Sequence, residues 1–205
     1  MTSTSTRRLR FGGRIAGVGG GSGIRAVVGN WTETPFGPFA DAMVETAAGH
    51  RVLLAPTRQV ADLLEGTYTF DEVRVEDFDL TTVPEGWQVR APSLRLDLRF
   101  GARTPIGRAL RCVPAAVARS PAWCTVTDPV ARVLMDGVRT RGTAGNGWRE
   151  WYAATDAHRI IGARGLFDGT DLGELAQVSP PTRFGFSAPP RNPTVTTVVT
   201  TIEMP

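Results

Sequence analysis

The chain of 205 residues contains no lysine, and all 23 of its basic residues are arginine. A buried lysine amine can lose its proton and form a Schiff base with a carbonyl substrate, whereas a guanidinium stays charged and cannot. Covalent catalysis through a side-chain imine is therefore excluded. Arginine-only usage also suggests a GC-rich bacterial genome.

Histidine and cysteine are almost as scarce. His50 and His158 both lie beside predicted turns, and neither has a second histidine at metal-ligand spacing, so no metal or other cofactor is predicted. Cys112 and Cys124 also lack that spacing; two reduced thiols and one disulfide across the intervening loop both remain open.

Long apolar runs are absent as well, since none approaches the ~18 residues that span a membrane. The start of the chain carries paired arginines but lacks the apolar core of a signal. We therefore predict a flexible basic N-terminus over residues 1–13, a single domain over 14–205 and a cytoplasmic location. The net charge is only +3 and charges of both signs alternate, so no nucleic-acid partner is expected.

The dominant pattern is that of β-strands. Residues 93–100 alternate strictly between apolar and polar, which predicts a half-buried strand. Residues 73–80 alternate with a shift of phase that predicts a bulge, and the turn at 84–86 follows them. The β-branched segments at 24–31 and 194–202 are further predicted strands.

Two segments resemble hairpins. Residues 43–54 are predicted to turn near Gly49, and residues 151–161 near Asp156. Both carry His-Arg followed by two apolar residues after the turn, which raises the hypothesis of a weak internal repeat.

The predicted helices are short. Thr57 is a suitable cap for a helix over residues 58–65 that ends at Gly66, and Asp128 for a helix over residues 129–137. Residues 105–119 are predicted to form helical pieces that a central proline breaks. Strands at both ends of the chain with helices between them favour the α+β class.

Two short motifs suggest ligands but have simpler interpretations. The glycine-rich segment 17–23 is not followed by a helix, as a phosphate-binding loop would be, so we predict a flexible loop. The acidic segment 168–174 lacks the alternate-position ligands of a calcium loop, so we predict a polar turn.

The candidate catalytic residues are carboxylates and a tyrosine. Asp41 and Glu45 share one strand face with Phe39 and Met43. This face either lines a pocket or is exposed to solvent, and the sequence leaves both alternatives open. Burial in a pocket would raise their pKa values toward acid/base use.

A second candidate pair, Glu150 and Tyr152, lies in the most aromatic part of the chain. Trp148 and Trp151 flank it, and we treat Trp151 as a candidate ligand contact. Such aromatic residues line pockets or fill cores, and the sequence leaves both alternatives open.

The segment from Thr34 to Asp41, Thr-Pro-Phe-Gly-Pro-Phe-Ala-Asp, resembles the Gly-Pro-Tyr-x-Glu segment of acetoacetate decarboxylase-like proteins. The Pro-Pro-Thr-Arg run at residues 180–183 resembles that family's Gly-Pro-Thr-Arg run. The resemblance implies a curved antiparallel sheet, or partly closed barrel, around a small-molecule cavity, which agrees with the β-rich pattern.

The departures from the family pattern limit what this resemblance implies. The catalytic lysine of the family would fall within residues 67–71, which contain none, and Asp41 replaces the family's glutamate. What carries over is a cavity with a carboxylate and an arginine, Arg25 or Arg51, for an anionic group.

Three functions follow as hypotheses. The first is a binding protein for a small organic molecule, with a carboxylated, anionic compound as one candidate. The second is an enzyme that uses the candidate carboxylates as non-covalent acid or base on a small carboxylated or keto compound. The third is an assembly protein, a homo-oligomer formed through an exposed β-edge such as the uncharged segment 195–202.

Overall fold

The computed structural model describes residues 7–134, 137–144 and 147–204. Thirteen strands and four short helices are assigned in this part of the chain. The strands are β1 Arg7–Gly20, β2 Arg25–Glu33, β3 Phe39–Glu45, β4 Arg51–Ala55, β5 Glu72–Val75, β6 Asp79–Val83, β7 Gly86–Arg90, β8 Leu94–Arg103, β9 Arg141–Thr143, β10 Arg149–Phe167, β11 Thr170–Asp171, β12 Leu175–Ala176 and β13 Thr194–Met204. The helices are α1 Arg58–Thr67, α2 Pro105–Arg111, α3 Ala115–Ala118 and α4 Pro121–Leu134. None of these helices is both long enough and apolar enough to cross a bilayer.

The strands form one large curved sheet in the order β5-β4-β3-β2-β1-β13-β10-β8-β7-β6. Neighbours along this path are antiparallel except β4 and β5, which are parallel, so the sheet is mixed rather than purely antiparallel as expected. The two outermost strands are joined by only residues 76–78, a link that spans at most about 14 Å. The sheet therefore curls until its ends approach each other, although no ladder closes it.

Side chains link the β5 end of the sheet to the residues that flank β8 and β10. Arg74 of β5 donates to Asp168 at 2.7 Å and to Ser93 at 2.9 Å, next to β10 and β8. Ser93 also donates to Glu76 at 2.8 Å. The α+β, strand-rich class predicted from the sequence is confirmed, with a curved sheet and few short helices.

The two faces of the sheet differ. The inner face carries a continuous apolar core, contributed by alternate residues of β1, β2, β3, β4, β7, β8, β10 and β13. The outer face of β3 and β4 is covered by α1 and by residues 180–188. This second face, which we call the covered face, holds the buried candidate residues.

Several local predictions are confirmed because they rest on short-range chemistry. In β8, buried Leu94, Leu96 and Leu98 alternate with exposed polar residues. The hairpin of β3 and β4 turns at Gly49, whose φ of +85° favours glycine. Thr57 caps α1 by accepting from the amide of Val60.

Two strand predictions are wrong. Residues 73–80 contain no bulge. They include the end of β5, at one edge of the sheet, and the beginning of β6, at the opposite edge. Residues 151–161 contain no hairpin, because β10 runs straight through them and shifts register between Ala154 and Asp156. Asp156 does not form a turn because its carboxylate binds Arg103 at 2.8 Å and the amide of Ala157 at 2.8 Å. The suggested internal repeat has no structural basis.

The prediction of a flexible N-terminus is wrong for residues 7–13, which belong to β1 and pair with β13; residues 1–6 lie outside the described residues. The glycine segment at 17–23 is also no flexible loop, since its first four residues complete β1. A Cβ at Gly19 would lie 2.2 Å from the carbonyl oxygen of Gln177, and one at Gly20 would lie 2.1 Å from that of Leu172. These glycines permit close approach of the backbone.

The helix predicted over 129–137 is misplaced. Helix α4 begins at Pro121 and contains Pro129, while residues 135–136 lie outside the described residues. Asp128 does not cap a helix; it accepts from the amide of Thr140 at 2.9 Å and pairs with Arg139 at 3.2 Å. Cys112 is an exposed free thiol and Cys124 a buried one, so no disulfide joins them.

The C-terminal segment is not an exposed edge. Strand β13 lies between β1 and β10 and pairs with both along most of its length. The hypothesis of assembly through residues 195–202 is therefore wrong, because their backbone groups are already hydrogen-bonded within the sheet.

Candidate functional site

The centre of the candidate site is a buried carboxyl held by two tyrosines. Glu150 and Tyr152 lie two residues apart on β10 and so point to the same face, the covered face. Tyr68, the residue that follows α1, donates its hydroxyl to Oε1 of Glu150 at 2.8 Å. The hydroxyls of Tyr68 and Tyr152 are 2.6 Å apart.

The electrostatics of this cluster are unusual for a protein that contains 23 arginines. Glu150 has 0% of its surface exposed, and no ion pair to it occurs in the described ranges. Burial raises the pKa of Glu150 to about 7, although hydrogen bonds from Tyr68 and Tyr152 act to lower it. Burial, together with the nearby Glu150, keeps the pKa of each tyrosine well above 10, so both hydroxyls remain protonated donors.

The cluster leaves hydrogen-bonding capacity unused. Oε2 of Glu150 is buried and has no partner in the described part of the chain. The hydroxyl of Thr200, which lies opposite Tyr152 on β13, is likewise buried and without a partner. Buried polar groups are normally satisfied, so an unsatisfied carboxyl oxygen points to a missing ligand or water.

Asp41 is a second buried carboxyl on the covered face. It is 2% exposed, and its Oδ1 accepts from the indole nitrogen of Trp31 at 2.7 Å. Burial raises the pKa of Asp41 to about 7, and the indole hydrogen bond opposes that rise. Gly29 makes the pair possible, because a Cβ there would lie 2.4 Å from the indole nitrogen and 2.5 Å from Oδ1.

Glu45, on the same face, has a different environment. It is 1% exposed and forms ion pairs with Arg25 at 3.0 Å and Arg183 at 3.3 Å. The amide of Arg183 also donates to it at 2.9 Å. Arg25 in turn donates to the carbonyl oxygen of Thr46 at 3.2 Å. This neutralised arrangement anchors residues 180–188 to β3.

The other predicted ligand contacts lie apart from Glu150. Arg51 pairs with Asp71 at 2.7 Å, and that contact holds the pKa of Asp71 far below its usual range. Trp151 is on the opposite face of β10, beneath the guanidinium of Arg149. A role for Arg25, Arg51 or Trp151 in ligand binding remains a prediction. In the described ranges, no three His, Cys, Asp or Glu side chains converge as metal ligands.

Aromatic rings enclose the tyrosine cluster. Phe70 packs between Tyr68 and Phe184, and Phe186 stacks on Tyr152 with ring centroids 5.4 Å apart. Phe186 can lie there only because Gly142 has no Cβ, which would come within 2.3 Å of the ring.

A surface depression of about 290 Å³ is lined by Phe186 together with Gly137, Val138 and Arg139. Phe186 therefore contacts both Tyr152 and this depression. A larger depression of about 420 Å³ lies elsewhere and contains none of the candidate residues; it is lined by Asp77, Arg90, Ala91, Pro92 and Arg95.

The two-residue spacing predicted that Glu150 and Tyr152 share a strand face, but it gave no indication of two of their partners, Tyr68 and Phe186. Tyr68 lies within the segment 67–71 that the family resemblance marked, so the signal was its position after a short helix. Phe186 had no signal beyond its place beside the Pro-Pro-Thr-Arg run, because its stacking joins residues far apart in the chain.

Comparison with known proteins yields little beyond the fold. No protein-family model matches the chain, and no curated protein matches it. Among solved structures, the chain is similar to acetoacetate decarboxylase from Legionella pneumophila, with 8% sequence identity, a TM-score of 0.43, and alignment over 98% of this chain and 84% of that one. At this TM-score the likeness is one of overall fold alone and supports no argument about activity or ligand.

Proposed function

We propose that the chain binds a small, uncharged carbonyl compound at the cluster of Tyr68, Glu150 and Tyr152. The observation that carries this proposal is the buried Oε2 of Glu150, which lacks a partner among the described residues. With a pKa of about 7, the carboxyl is largely protonated in mildly acidic solution and can donate to a carbonyl oxygen.

An uncharged ligand fits the charges better than an anion. No arginine pairs with Glu150 among the described residues, so an anion would face an acidic group with no compensating cation. Arg25 and Arg51 are engaged with Glu45 and Asp71. The surrounding phenylalanine and tyrosine rings suit an apolar body of modest size. We expect the ring of Phe186 to move when the ligand enters, because it stacks on Tyr152 and also lines the depression.

Cyclohexanone is a suitable probe because it has one carbonyl, no charge and an apolar ring. We expect thermal-shift and NMR titrations to show tighter binding at about pH 6 than at about pH 8, since only the protonated carboxyl donates. Glu150→Gln keeps a donor at every pH, so it should retain binding and lose the pH dependence. Glu150→Ala should lose binding, and Glu174→Gln, on the exposed surface, is the matched control.

Two results would contradict the proposal. Cyclohexanone could fail to perturb the protein at any pH, or it could bind equally well to Glu150→Ala and the parent chain.

A second candidate function is favoured by the same pKa. Ionised Glu150 could remove a proton from the carbon next to the bound carbonyl, while a tyrosine hydroxyl donates to the developing enolate oxygen. Returning that proton regenerates the ketone, so the step is an enolisation without covalent intermediates.

Deuterium exchange distinguishes the two functions. If the chain is an enzyme, it accelerates loss of the α-proton signals of cyclohexanone in D₂O, and Glu150→Gln abolishes the acceleration while keeping binding. If it is only a binding protein, the parent chain and Glu150→Gln both bind cyclohexanone, and neither accelerates the exchange. We further propose that the protein acts in the cytoplasm of a bacterium and needs no cofactor or nucleic-acid partner.

A further inference from the structure

A second group of unsatisfied polar atoms lies on the inner face of the sheet, the face opposite to the one that carries Glu150. Arg14 of β1 extends its guanidinium over two aromatic rings, 5.0 Å from the centroid of Phe100 and 5.6 Å from that of Trp87. The two rings meet edge to face with centroids 5.3 Å apart. An arginine has thus been placed at the end of an apolar core.

Two donors in this group have no acceptor. Nε of Arg14 and the indole nitrogen of Trp87 are both buried without a partner in the part of the chain that the structure describes. Trp87 is 1% exposed, so its indole cannot turn to solvent. Arg14 forms no ion pair with any described residue.

The nearest carboxylate does not supply the missing acceptor. Asp156 attracts Arg14 electrostatically, but its oxygens bind Arg103 at 2.8 Å and 3.0 Å. His158 lies 3.6 Å from the same carboxylate. Asp156 therefore has its charge balanced by Arg103, and the charge of Arg14 is left without a direct partner.

The location is partly open to solvent. Arg14 pairs across the sheet with Asn30 and Thr197, and all three are only half-buried, as is Phe100. Arg14 therefore lies at the margin between the apolar core and solvent.

We propose that Arg14 and Trp87 form a binding site for a small aromatic or aliphatic carboxylate. One carboxylate can accept from both unpartnered donors, and its charge matches the guanidinium. Its apolar part packs against Phe100, the more exposed of the two rings. This site is independent of Glu150, and its ligand differs in charge from the one proposed there.

Benzoate is the probe, with isothermal titration at neutral pH and the indole NMR signal of Trp87, assigned with Trp87→Phe, as readouts. We expect binding that shifts this indole signal alone among the tryptophans. Arg14→Met and Trp87→Phe should each weaken binding at least tenfold, the size expected for losing a hydrogen bond to a charged group. Arg10→Met, at an exposed arginine four residues earlier on the same strand, is the matched control.

Glu150→Gln should leave benzoate binding unchanged, which separates this proposal from that of the preceding subsection. The proposal is overturned if millimolar benzoate gives no heat and no indole shift, or if it binds Trp87→Phe as tightly as the parent chain. If Arg14→Met fails to fold, Trp87→Phe and the indole shift still decide the outcome.

Discussion

Glu45 and Glu150 are both buried glutamates on the covered face, yet their surroundings differ. Glu45 has two arginines and a backbone amide as partners. Within the described ranges, Glu150 has only tyrosine hydroxyls as partners, and one of its oxygens is unsatisfied. A chain with 23 arginines has placed none of them against Glu150 among the described residues. The difference teaches that a buried carboxylate paired with cations links two parts of the fold, whereas one buried without a cation among the described residues has its pKa raised, here to about 7.

The largest difference between the two glutamates is expected when each is replaced by the uncharged glutamine. Glu45→Gln leaves the buried guanidinium of Arg25 without its counter-charge, which should cost about 3–5 kcal/mol of unfolding free energy. Glu150→Gln should cost less than about 1 kcal/mol, because the carboxyl it replaces has no cation to lose. Urea unfolding at neutral pH measures both, and equal losses would erase the distinction.

The pH dependence of stability is the next largest effect. The pKa of Glu150 rises from 4.5 in the unfolded chain to about 7 in the folded one, so the folded state holds more protons between these values. The contribution of protonated Glu150 to the free energy of unfolding is therefore fully present below about pH 4.5, declines as pH rises and is lost above about pH 7. At 1.36 kcal/mol per pKa unit, the loss is about 3 kcal/mol.

Asp41, with a pKa also raised to about 7, acts in the same direction. The double variant Asp41→Asn, Glu150→Gln should flatten the decline of stability between about pH 5 and pH 8, as measured by urea unfolding across that range. Glu174→Gln serves as the control. A double variant with the slope of the parent chain would show that neither carboxyl titrates there.

Removing a single hydrogen bond should have a smaller effect. Trp31→Phe deletes the indole donor to Asp41 and should cost about 1–3 kcal/mol, since a buried carboxyl loses its partner. The loss should be greater at about pH 8 than at about pH 6, because the ionised form needs the donor more. Trp151→Phe, on the opposite face of the sheet, should change stability little. A cost independent of pH would argue that Trp31 acts only by packing.

A smaller effect than that of Trp31→Phe is expected at the tyrosines. Tyr152→Phe removes one hydroxyl next to Tyr68 and should cost about 1 kcal/mol in urea unfolding. It should also raise the pKa of Glu150 further, because the hydroxyl favours the ionised carboxyl. A fall in that pKa would contradict the assigned role.

The sequence predicted those parts of the site that depend on neighbours along the chain. Period-two spacing placed Asp41 with Glu45, and Glu150 with Tyr152, on shared strand faces. It could not decide whether those faces were buried, because that depends on how α1 and residues 180–188 fold over them. Tyr68 is 82 positions from Glu150 in sequence, and no local pattern joins them.

Contacts between residues far apart in the chain also explain why parts of the predicted fold were wrong. A turn at Asp156 is locally reasonable, but β10 continues because β13 offers partners on both sides of that residue. The glycines at the end of β1 indicate a loop when read alone. Their true role is close contact with residues 172–177, which the sequence could not place beside them. Long-range pairing overrides local propensity in each case.

The most direct test of the central claim is the titration of Glu150 itself. Carboxyl ¹³C NMR across the pH range, assigned with Glu150→Gln, should give a midpoint of about 7. A midpoint near the ordinary value of 4.5 would show that Glu150 is solvated or paired and is not a proton-exchanging group.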